Sequence, residues 1–419
     1  MLKKKLIGPF RQLLTMDKLQ IKGALPDDVL EIIEDAGIVI EGDFIERIDK
    51  FQVLFDEYQG IEIEKISGSY VALPGFIDPH THICWAGNRA IDYAMRLAGK
   101  SYIEIAKAGG GIWDTVIKTR AASEQELSNI TVYRANQLLK DGITTIEVKS
   151  GYGLTVDDEL KMLRAISAAD KITEADLFST CLAAHICPKD FWGSSTDYLA
   201  MMAEQLLPKV KEEGLANRVD IFIEDSAFSP EEALDYLMEA RKMGFEIVVH
   251  ADQFTTGGSK IATEADAISA DHLEASEENE IKLLASKNTI PVALPGASIG
   301  LADPFTPARR LLDAGASLAI GSDWNPGSAP MGDLLVQAAI LSMQQKLNTA
   351  ETLAAITCRA AAALDLKDRG VLKEGNLADI IAFRLEDYRE ILYNQGRVKP
   401  EMVIKKGIKI SSRDKNIMT

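Results

Sequence analysis

The sequence is poor in cysteine and histidine, and it contains no long apolar run. Of its 419 residues, 4 are cysteines and 5 are histidines, and aromatic residues make up 6%. The cysteines form no CxxC pair and are too few and too scattered for a disulfide framework, so we expect all of them to be reduced. No apolar run is long enough to span a bilayer, and residues 1–10 lack the features of a secretory signal. These absences favour a cytoplasmic protein without a membrane partner.

The charge balance of the chain is strongly acidic. The formal net charge is −17 at pH 7, which argues against nucleic acid or an anionic membrane surface as a partner. A small anionic substrate would need a local positive group against this charge. An arginine close to a candidate site is therefore of special interest.

From about residue 74 onward, short apolar runs alternate with longer amphipathic segments, which is the pattern of βα units around a parallel sheet. The predicted strands are residues 75–82, 143–149, 177–185, 219–223, 245–252, 267–273, 290–294 and 317–323. Capping boxes of the form S-x-x-E at Ser123 and Ser229 mark the starts of two helices between them. Because a doubly wound sheet typically stops at five or six strands, these eight units predict an α/β fold with a closed (β/α)₈ TIM-like barrel.

The two ends of the chain have a different pattern. Residues 37–48 and 402–410 alternate in the manner of hairpins, and residues 377–383 are another strand candidate. We expect the two ends to pair as one small β-sandwich domain of residues 1–72 and 372–419, with residues 73–371 as the barrel. Since barrels with such a side domain often pair, we also expect a homodimer.

All five histidines fall at or next to the carboxyl ends of predicted strands. They are His80, His82, His185, His250 and His272. This edge of a (β/α)₈ barrel is where active sites are built. The sequence therefore predicts one site that contains all five imidazoles.

Three of these histidines and one aspartate predict a metal site. His80 and His82 are two residues apart on a strand, so both side chains leave on the same face. His250 ends the fifth strand and Asp323 the eighth, and three imidazoles with one carboxylate suit zinc or iron and leave a position for water. His272 is interpreted as a fourth imidazole ligand or as a group that polarises the substrate. We prefer the second role, because the other four groups already complete the site.

Six segments carry a resemblance to a known family. They are PGFIDPHTH at residues 74–82, GGG at 109–111, KSGYG at 149–153, HAD at 250–252, DH at 271–272 and SDWNPGS at 322–328. With them the chain resembles the amidohydrolase superfamily and, within it, the imidazolonepropionases, over nearly its whole length. The HxH pattern indicates only the superfamily, whereas the KSGYG and DxNPGS patterns are far more specific.

The resemblance implies a metal-dependent hydrolase that opens the ring of 4-imidazolone-5-propanoate to N-formimidoyl-L-glutamate in histidine degradation. The metal ligands it implies are His80, His82, His250 and Asp323. The substrate contacts it implies are Arg89, Tyr152, His185, Asn325, Gly327 and Ser328. Chemistry supports part of this assignment, because the planar guanidinium of Arg89, seven residues past His82, suits a propanoate carboxylate. Tyr102 or Tyr152 could hydrogen-bond the same tail.

Binuclear barrels of this kind need a bridging group, commonly a modified lysine from the fourth strand. The predicted fourth strand ends here in Glu224 and Asp225 without a lysine, and Lys149 lies on the second strand. We therefore expect one transition-metal ion per chain. A set of three histidines and one aspartate does not distinguish zinc from iron.

The metal also predicts a mechanism. The ion lowers the pKa of its bound water to about 7, and the resulting hydroxide attacks the ring carbonyl. Asp323 takes the proton and passes it to the departing ring nitrogen, while His272 and the metal hold the developing oxyanion. The chain departs from part of the family at Gln253, where the family's pattern has a glutamate that transfers protons. Because an amide hydrogen-bonds but carries no proton, we assign Gln253 to orienting the substrate.

Two other functions were weighed. One is another amidohydrolase, either a ring deaminase or a different cyclic amidase for a small carboxylate-bearing substrate. Gln253 argues against the deaminase. The sequence predicts a group that binds a carboxylate but does not identify the ring that carries it, so a different cyclic amidase remains an alternative. The other is a non-catalytic barrel, which we would expect to have lost ligands that this chain retains.

Overall fold

The computed structural model describes residues 3–100, 104–105 and 108–410, which are organised by two eight-stranded sheets. The strands are β1 (Lys4–Leu14), β2 (Ile32–Glu41), β3 (Phe44–Lys50), β4 (Glu62–Lys65), β5 (Val71–Pro74), β6 (Phe76–Asp78), β7 (Ile143–Lys149), β8 (Asp176–Ala184), β9 (Arg218–Phe222), β10 (Glu246–Ala251), β11 (Ser269–His272), β12 (Ile290–Ala293), β13 (Ala319–Ile320), β14 (Ile380–Phe383), β15 (Met402–Lys405) and β16 (Ile408–Lys409).

Helices connect most of these strands. They are α1 (Phe51–Glu57), α2 (Ala90–Leu97), α3 (Ile112–Ala121), α4 (Glu124–Lys140), α5 (Val156–Asp170), α6 (Ser195–Met201), α7 (Leu207–Glu212), α8 (Pro230–Lys242), α9 (Gly258–Glu264), α10 (Glu278–Ala285), α11 (Pro295–Leu301), α12 (Ala308–Asp313), α13 (Leu334–Gln345), α14 (Thr349–Ala355), α15 (Cys358–Ala363) and α16 (Arg389–Tyr393). A 3₁₀ helix spans Asp27–Val29, and a π-helical turn, Met202–Leu206, joins α6 to α7. No helix in the described part of the chain is long and apolar enough to cross a membrane.

Strands β6 to β13 follow one another in chain order around a nearly closed barrel, and every neighbouring pair is parallel. Beyond the ends of β6 and β13 the backbone N–H of His82 donates to the carbonyl of Trp324 at 3.1 Å, so the first and last units also meet. The predicted barrel is confirmed, and β7 coincides with the predicted run 143–149.

The barrel forms because its strands and helices carry the patterns that burial requires. All seven residues of β7 are buried, as expected for a parallel strand covered on both faces. The capping boxes at Ser123 and Ser229 are both formed and begin α4 and α8. Each places acidic residues in the first helical turn, where they favour the positive end of the helix dipole.

The second sheet is mixed and combines the two ends of the chain. Its order is β16-β15-β14-β5-β1-β2-β3, with β4 pairing beside β1. Strand β5 is parallel to β1 and antiparallel to β14, so it joins the N-terminal strands to the C-terminal ones. The expected pairing of the ends is confirmed, and the domain boundaries at 72/73 and 371/372 stay a prediction.

A cluster of ion pairs attaches the C-terminal segment to the amino end of the barrel. Asp176, at the start of β8, lies 2.8 Å from Lys405 Nζ and 2.7 Å from Lys406 Nζ, and it also pairs with Arg369. Although burial opposes ionisation of this carboxyl, the three cations lower the pKa of Asp176 to about 2. The cluster leaves the opposite, carboxyl end of the barrel free for the site.

Candidate active site

The carboxyl ends of the barrel strands bring all five histidines together. The ring centroids of His80 and His250 are 4.6 Å apart, those of His82 and His185 are 5.5 Å apart, and that of His272 is 5.4 Å from His250. The close approach of the first and last strands requires a glycine, because a Cβ at Gly321 would lie 2.9 Å from the Cβ of His80. This grouping agrees with the strand-end positions of the histidines in the sequence.

Three of these imidazoles direct the same nitrogen to one point. Nε2 of His82 lies 3.3 Å from Nε2 of His80 and 3.4 Å from Nε2 of His250. All three residues are buried. Such a cluster of ring nitrogens can hold one ion between them.

The outer nitrogens of two imidazoles face buried carboxylates. Nδ1 of His80 is 2.6 Å from Oδ2 of Asp271, a contact that favours the tautomer with the proton on Nδ1 and the lone pair on Nε2. Nδ1 of His250 lies 2.9 Å from Oδ2 of Asp220, although the angle departs from that of a good hydrogen bond. Carboxylates behind metal-ligating histidines fix the tautomer and the ring orientation in this way.

The protonation state of the cluster fits a metal ion. Burial lowers the pKa of His80 and His82 well below the ordinary value and that of His250 to about 3, so all three rings are neutral near pH 7. Lone pairs converging at 3.3 to 3.4 Å without a proton between them repel one another unless a cation lies among them. The three imidazoles therefore form a metal-binding site.

Asp323 lies beside these ring nitrogens. Its Oδ1 lies 3.6 Å from Nε2 of His80 and 3.5 Å from Nε2 of His82. Its φ of 49° is left-handed, as is the φ of 84° at His272. Non-glycine residues in this region store strain, which is common where a side chain must point into a site. Burial raises the pKa of Asp323 to about 6.

His272 lies beside the imidazole cluster and is paired with a second buried carboxylate. Its Nδ1 is 3.4 Å from Oε1 of Glu274, and the hydroxyl of Ser298 donates to the same oxygen at 3.4 Å. The side chain of Glu274 is 4% exposed, and its Oε2 accepts no hydrogen bond from the part of the chain that the structure describes. Although burial disfavours the imidazolium, Glu274 raises the pKa of His272 above the ordinary value. The pKa of His272 is thus shifted in the opposite direction from those of His80, His82 and His250.

His185 and Tyr152 form one wall of the site. The ring of His185 is stacked on that of His82, and its Nδ1 lies 3.0 Å from the carbonyl oxygen of Gly151. The ring of Tyr152 is 5.5 Å from that of His185 and 5.9 Å from that of His82. Burial lowers the pKa of His185 to about 4. His185 is therefore neutral near pH 7.

Arg89 is held at the rim of the same mouth. Its Nε donates to Asp92, which also accepts from the backbone N–H of Gly111 at 2.9 Å. A Cβ at Gly327 would lie 3.2 Å from Nη1 of Arg89. The Arg89 side chain is only 11% exposed, and it lines a groove of about 300 Å³ with Trp85 and other rim residues. Its outer nitrogens therefore have a fixed position next to the loop after β13.

That loop is shaped by Asn325. Its Oδ1 accepts from the backbone N–H groups of Gly327 and Ser328 at 2.7 and 2.8 Å, and its Nδ2 donates to the carbonyl of Asp323 at 2.8 Å. The hydroxyl of Ser328 donates to Oδ2 of Asp323 at 3.3 Å. Most of the polar groups of Asn325 are used within the loop, which orients Asp323.

Two predicted site residues have less definite surroundings. Gln253, two residues after β10, is half-buried, and its amide makes no hydrogen bond to the described residues. Tyr102 lies outside the described residues.

Sequence reasoning did not identify the acidic residues behind the histidines. Asp220 lies in the middle of an apolar strand and Asp271 directly before His272, and each is completely buried. A charged residue inside an apolar run requires a partner, and this signal could have found Asp220. Glu274 carries no comparable signal.

The comparisons with known proteins agree with this arrangement. The model of the Amidohydrolase family matches residues 71–409. The chain is 41% identical to the imidazolonepropionase of Acinetobacter baumannii (strain ACICU) over 90% of its length and 94% of the relative's, and 41% identical to that of Myxococcus xanthus over 83% of both. A zinc-bound adenosine deaminase from Xanthomonas campestris has the same fold, with a TM-score of 0.71 at 16% identity over 97% of this chain and 92% of the other. The resemblance is thus confirmed, and the chain belongs to the amidohydrolase family and, within it, to the imidazolonepropionases.

Proposed function

We propose that the protein hydrolyses the ring C–N amide bond of 4-imidazolone-5-propanoate and releases N-formimidoyl-L-glutamate, a step of histidine degradation. The observation that carries this proposal is that one barrel mouth holds both the neutral imidazole cluster and the fixed guanidinium of Arg89. The first group suits hydrolysis of an amide, and the second suits a substrate with a carboxylate tail. Two relatives that are 41% identical over most of the chain bear the name of this activity.

We assign the metal to His80, His82, His250 and Asp323. When bound there, a transition-metal ion supplies an activated water as the nucleophile and a positive charge beside the substrate carbonyl. We propose one ion per chain, zinc or iron, because β9 ends without a lysine and Lys149 is engaged in buried ion pairs. Metal analysis of the purified protein should find close to one ion per chain, and a value near two would contradict this assignment.

Arg89 binds the propanoate in this proposal. Its Nε is occupied by Asp92, which leaves the Nη atoms for the two carboxylate oxygens. The ring of Tyr152 lies 5.9 Å from that of His82, and Arg89 is one of the charges that act on its hydroxyl. The phenol and the neutral ring of His185 can therefore hydrogen-bond the substrate between its tail and its ring.

The proton route uses Asp323 and His272. Water adds to the ring carbonyl carbon, the C–N bond breaks, and the departing nitrogen gains the proton that the water loses. Asp323 takes and returns this proton, with Oδ2 oriented by Ser328. His272, kept basic by Glu274, donates a hydrogen bond to the oxyanion that develops on the carbonyl. Gln253 carries no proton and orients the substrate.

We further propose a cytoplasmic homodimer. The thiols of Cys84, Cys181, Cys187 and Cys358 are free, which suits a reducing compartment. Helix α2 exposes 77% of Ile91 and 75% of Leu97, and pairing of two copies through this helix would cover both side chains. Sedimentation at micromolar concentration tests the dimer, which a single monomeric species would exclude.

A turnover assay with imidazolone propanoate against a panel of cyclic ureides and lactams tests the function. We expect rapid opening of the imidazolone and little activity on rings without a carboxylate tail. A higher kcat/KM for another carboxylate-bearing ring would identify the protein as a different cyclic amidase. Release of ammonia from a neutral ring would identify a deaminase.

A further inference from the structure

A lysine with no exposed surface lies directly beneath the imidazole cluster. Nζ of Lys149, at the end of β7, is 2.8 Å from Oε1 of Glu147 and 2.8 Å from Oδ2 of Asp220. It is also 3.6 Å from Oδ2 of Asp271, and the exposed fraction of each of these carboxylate side chains is 1% or less. One ammonium therefore faces three buried carboxylates from three strands.

Two of these carboxylates use one oxygen for both the ammonium and a histidine. Oδ2 of Asp271, which faces Lys149, is the atom 2.6 Å from Nδ1 of His80. Oδ2 of Asp220, which also faces Lys149, is the atom 2.9 Å from Nδ1 of His250. A single cation thus meets both of the atoms that orient these two rings.

The third carboxylate leads to the peptide between His80 and His82. Oε2 of Glu147 accepts from the backbone N–H of Thr81 at 3.3 Å, and the hydroxyl of Thr81 donates to the carbonyl of Glu147 at 2.6 Å. The backbone N–H of Lys149 donates to the carbonyl of Thr81 at 2.9 Å. Lys149 therefore contacts, directly or through Glu147, the groups that hold all three imidazoles, namely Asp271, Asp220 and the peptide of Thr81.

Electrostatics explains why a cation is needed at this point. A buried carboxylate is costly unless a positive charge or several hydrogen bonds compensate it, and neighbouring carboxylates repel one another. Apart from histidines, Lys149 is the only cationic side chain among the described residues that pairs with Asp220 or Asp271. Without it, the two buried carboxylates would face each other with no cation between them, and the rings in front of them would lose a fixed partner.

We propose that Lys149 is a positioning residue of the metal site, whose ammonium holds Asp220 and Asp271 as the carboxylates that aim His250 and His80 at the ion. This inference rests on the proposed metal site but not on the identity of the substrate. It distinguishes Lys149 from an ordinary buried ion pair, because an ordinary ion pair would affect folding stability and leave metal affinity unchanged.

The test measures zinc affinity with no substrate present. Lys149→Met is compared with wild-type protein and with Lys405→Met, in which a lysine of 2% exposure is removed from Asp176 and Asp379, far from the site. Each protein is stripped with a chelator, and its dissociation constant for Zn²⁺ is measured by competition with a chromogenic chelator, beside its Tm. Loss of the partners behind metal-ligating histidines typically weakens binding by about 10- to 100-fold, so we expect that loss for Lys149→Met only.

Equal zinc affinity in Lys149→Met and Lys405→Met, with a similar loss of Tm, would overturn the proposal. If Lys149→Met does not fold, the double variant Lys149→Met/Glu147→Gln removes one buried charge of each sign and leaves both aspartates uncompensated. We expect it to bind zinc at least about 10-fold more weakly, and wild-type affinity in it would also overturn the proposal. Wild-type protein without affinity for zinc would refute the metal site itself, whereas failure to hydrolyse imidazolone propanoate would refute only the proposed reaction.

Discussion

Replacement of Arg89 by methionine tests how the substrate is recognised. The guanidinium is nearly buried, its Nε is fixed by Asp92, and its Nη1 lies beside Gly327. Methionine keeps much of the apolar stem and removes the charge. Because Arg89 makes no hydrogen bond or ion pair to the imidazole cluster within the described residues, its loss should leave the metal in place.

The size of the effect follows from the kind of contact. A hydrogen bond to a charged group contributes about 1.5 to 3 kcal/mol, which corresponds to a change of about 10- to 150-fold in affinity. The carboxylate is remote from the bond that breaks, so the same interaction exists in the ground state and the transition state. The loss should therefore appear mainly in KM, with kcat changed by less than about threefold.

The assay is steady-state kinetics with imidazolone propanoate, together with metal content for each protein. Arg89→Lys retains the charge but not the planar fork, so its KM should lie between those of the wild type and Arg89→Met. Arg310→Met serves as the control, because Arg310 is 54% exposed and, among the described residues, pairs only with Glu278 at the surface. A KM for Arg89→Met within twofold of the wild type, or a change confined to metal content, would refute the assigned role of Arg89.

Three further predictions concern proton transfer and stability. His272→Ala should lower kcat by about 10²-fold or more while metal content stays unchanged, and unchanged turnover would exclude His272 from the reaction. Glu274→Gln removes the charge that raises the pKa of His272, so the alkaline limb of the kcat profile should move to lower pH; an unmoved limb would argue against a protonated His272. Asp176→Asn should cost about 2 kcal/mol of unfolding free energy at pH 7, because the folded-state pKa of Asp176 is about 2 against an unfolded value of about 3.8. Since the folded-state pKa of Asp176 is depressed, its contribution to the unfolding free energy is present above about pH 4 and roughly halved at pH 3. Urea unfolding of the wild type and of Asp176→Asn should therefore show a smaller difference in unfolding free energy at pH 3 than at pH 7.

The sequence predicted the barrel and the group of histidines because both depend on local patterns. Buried parallel strands are short apolar runs, and the carboxyl ends of such strands meet at one edge, so His80 and His250 could be placed near each other without coordinates. The eight predicted runs overlap β6 to β13 for the same reason.

The layer behind the histidines could not be predicted in the same way. The sequence places Lys149 only on the second strand, whereas its three carboxylate partners lie on β7, β9 and β11. Which strand faces which across the barrel interior depends on strand stagger, and stagger leaves no trace in the spacing of a single sequence. Asn325 illustrates a similar limit, because only the folded loop shows that its amide is bonded to the backbone of Gly327 and Ser328.

The site has a glutamine at residue 253 and a buried glutamate, Glu274, beside His272. A site that holds a cation among neutral imidazoles needs a base for the water proton and a donor for the carbonyl oxygen. Asp323 suits the first task, and His272 suits the second only while it keeps its proton. Glu274, buried beside His272, raises the pKa of His272 and so favours its protonated form, whereas a carboxylate at residue 253 would duplicate the base. The amide at Gln253 and the carboxylate at Glu274 therefore fit the proposed division of labour, in which Asp323 moves the proton and His272 donates a hydrogen bond to the carbonyl oxygen.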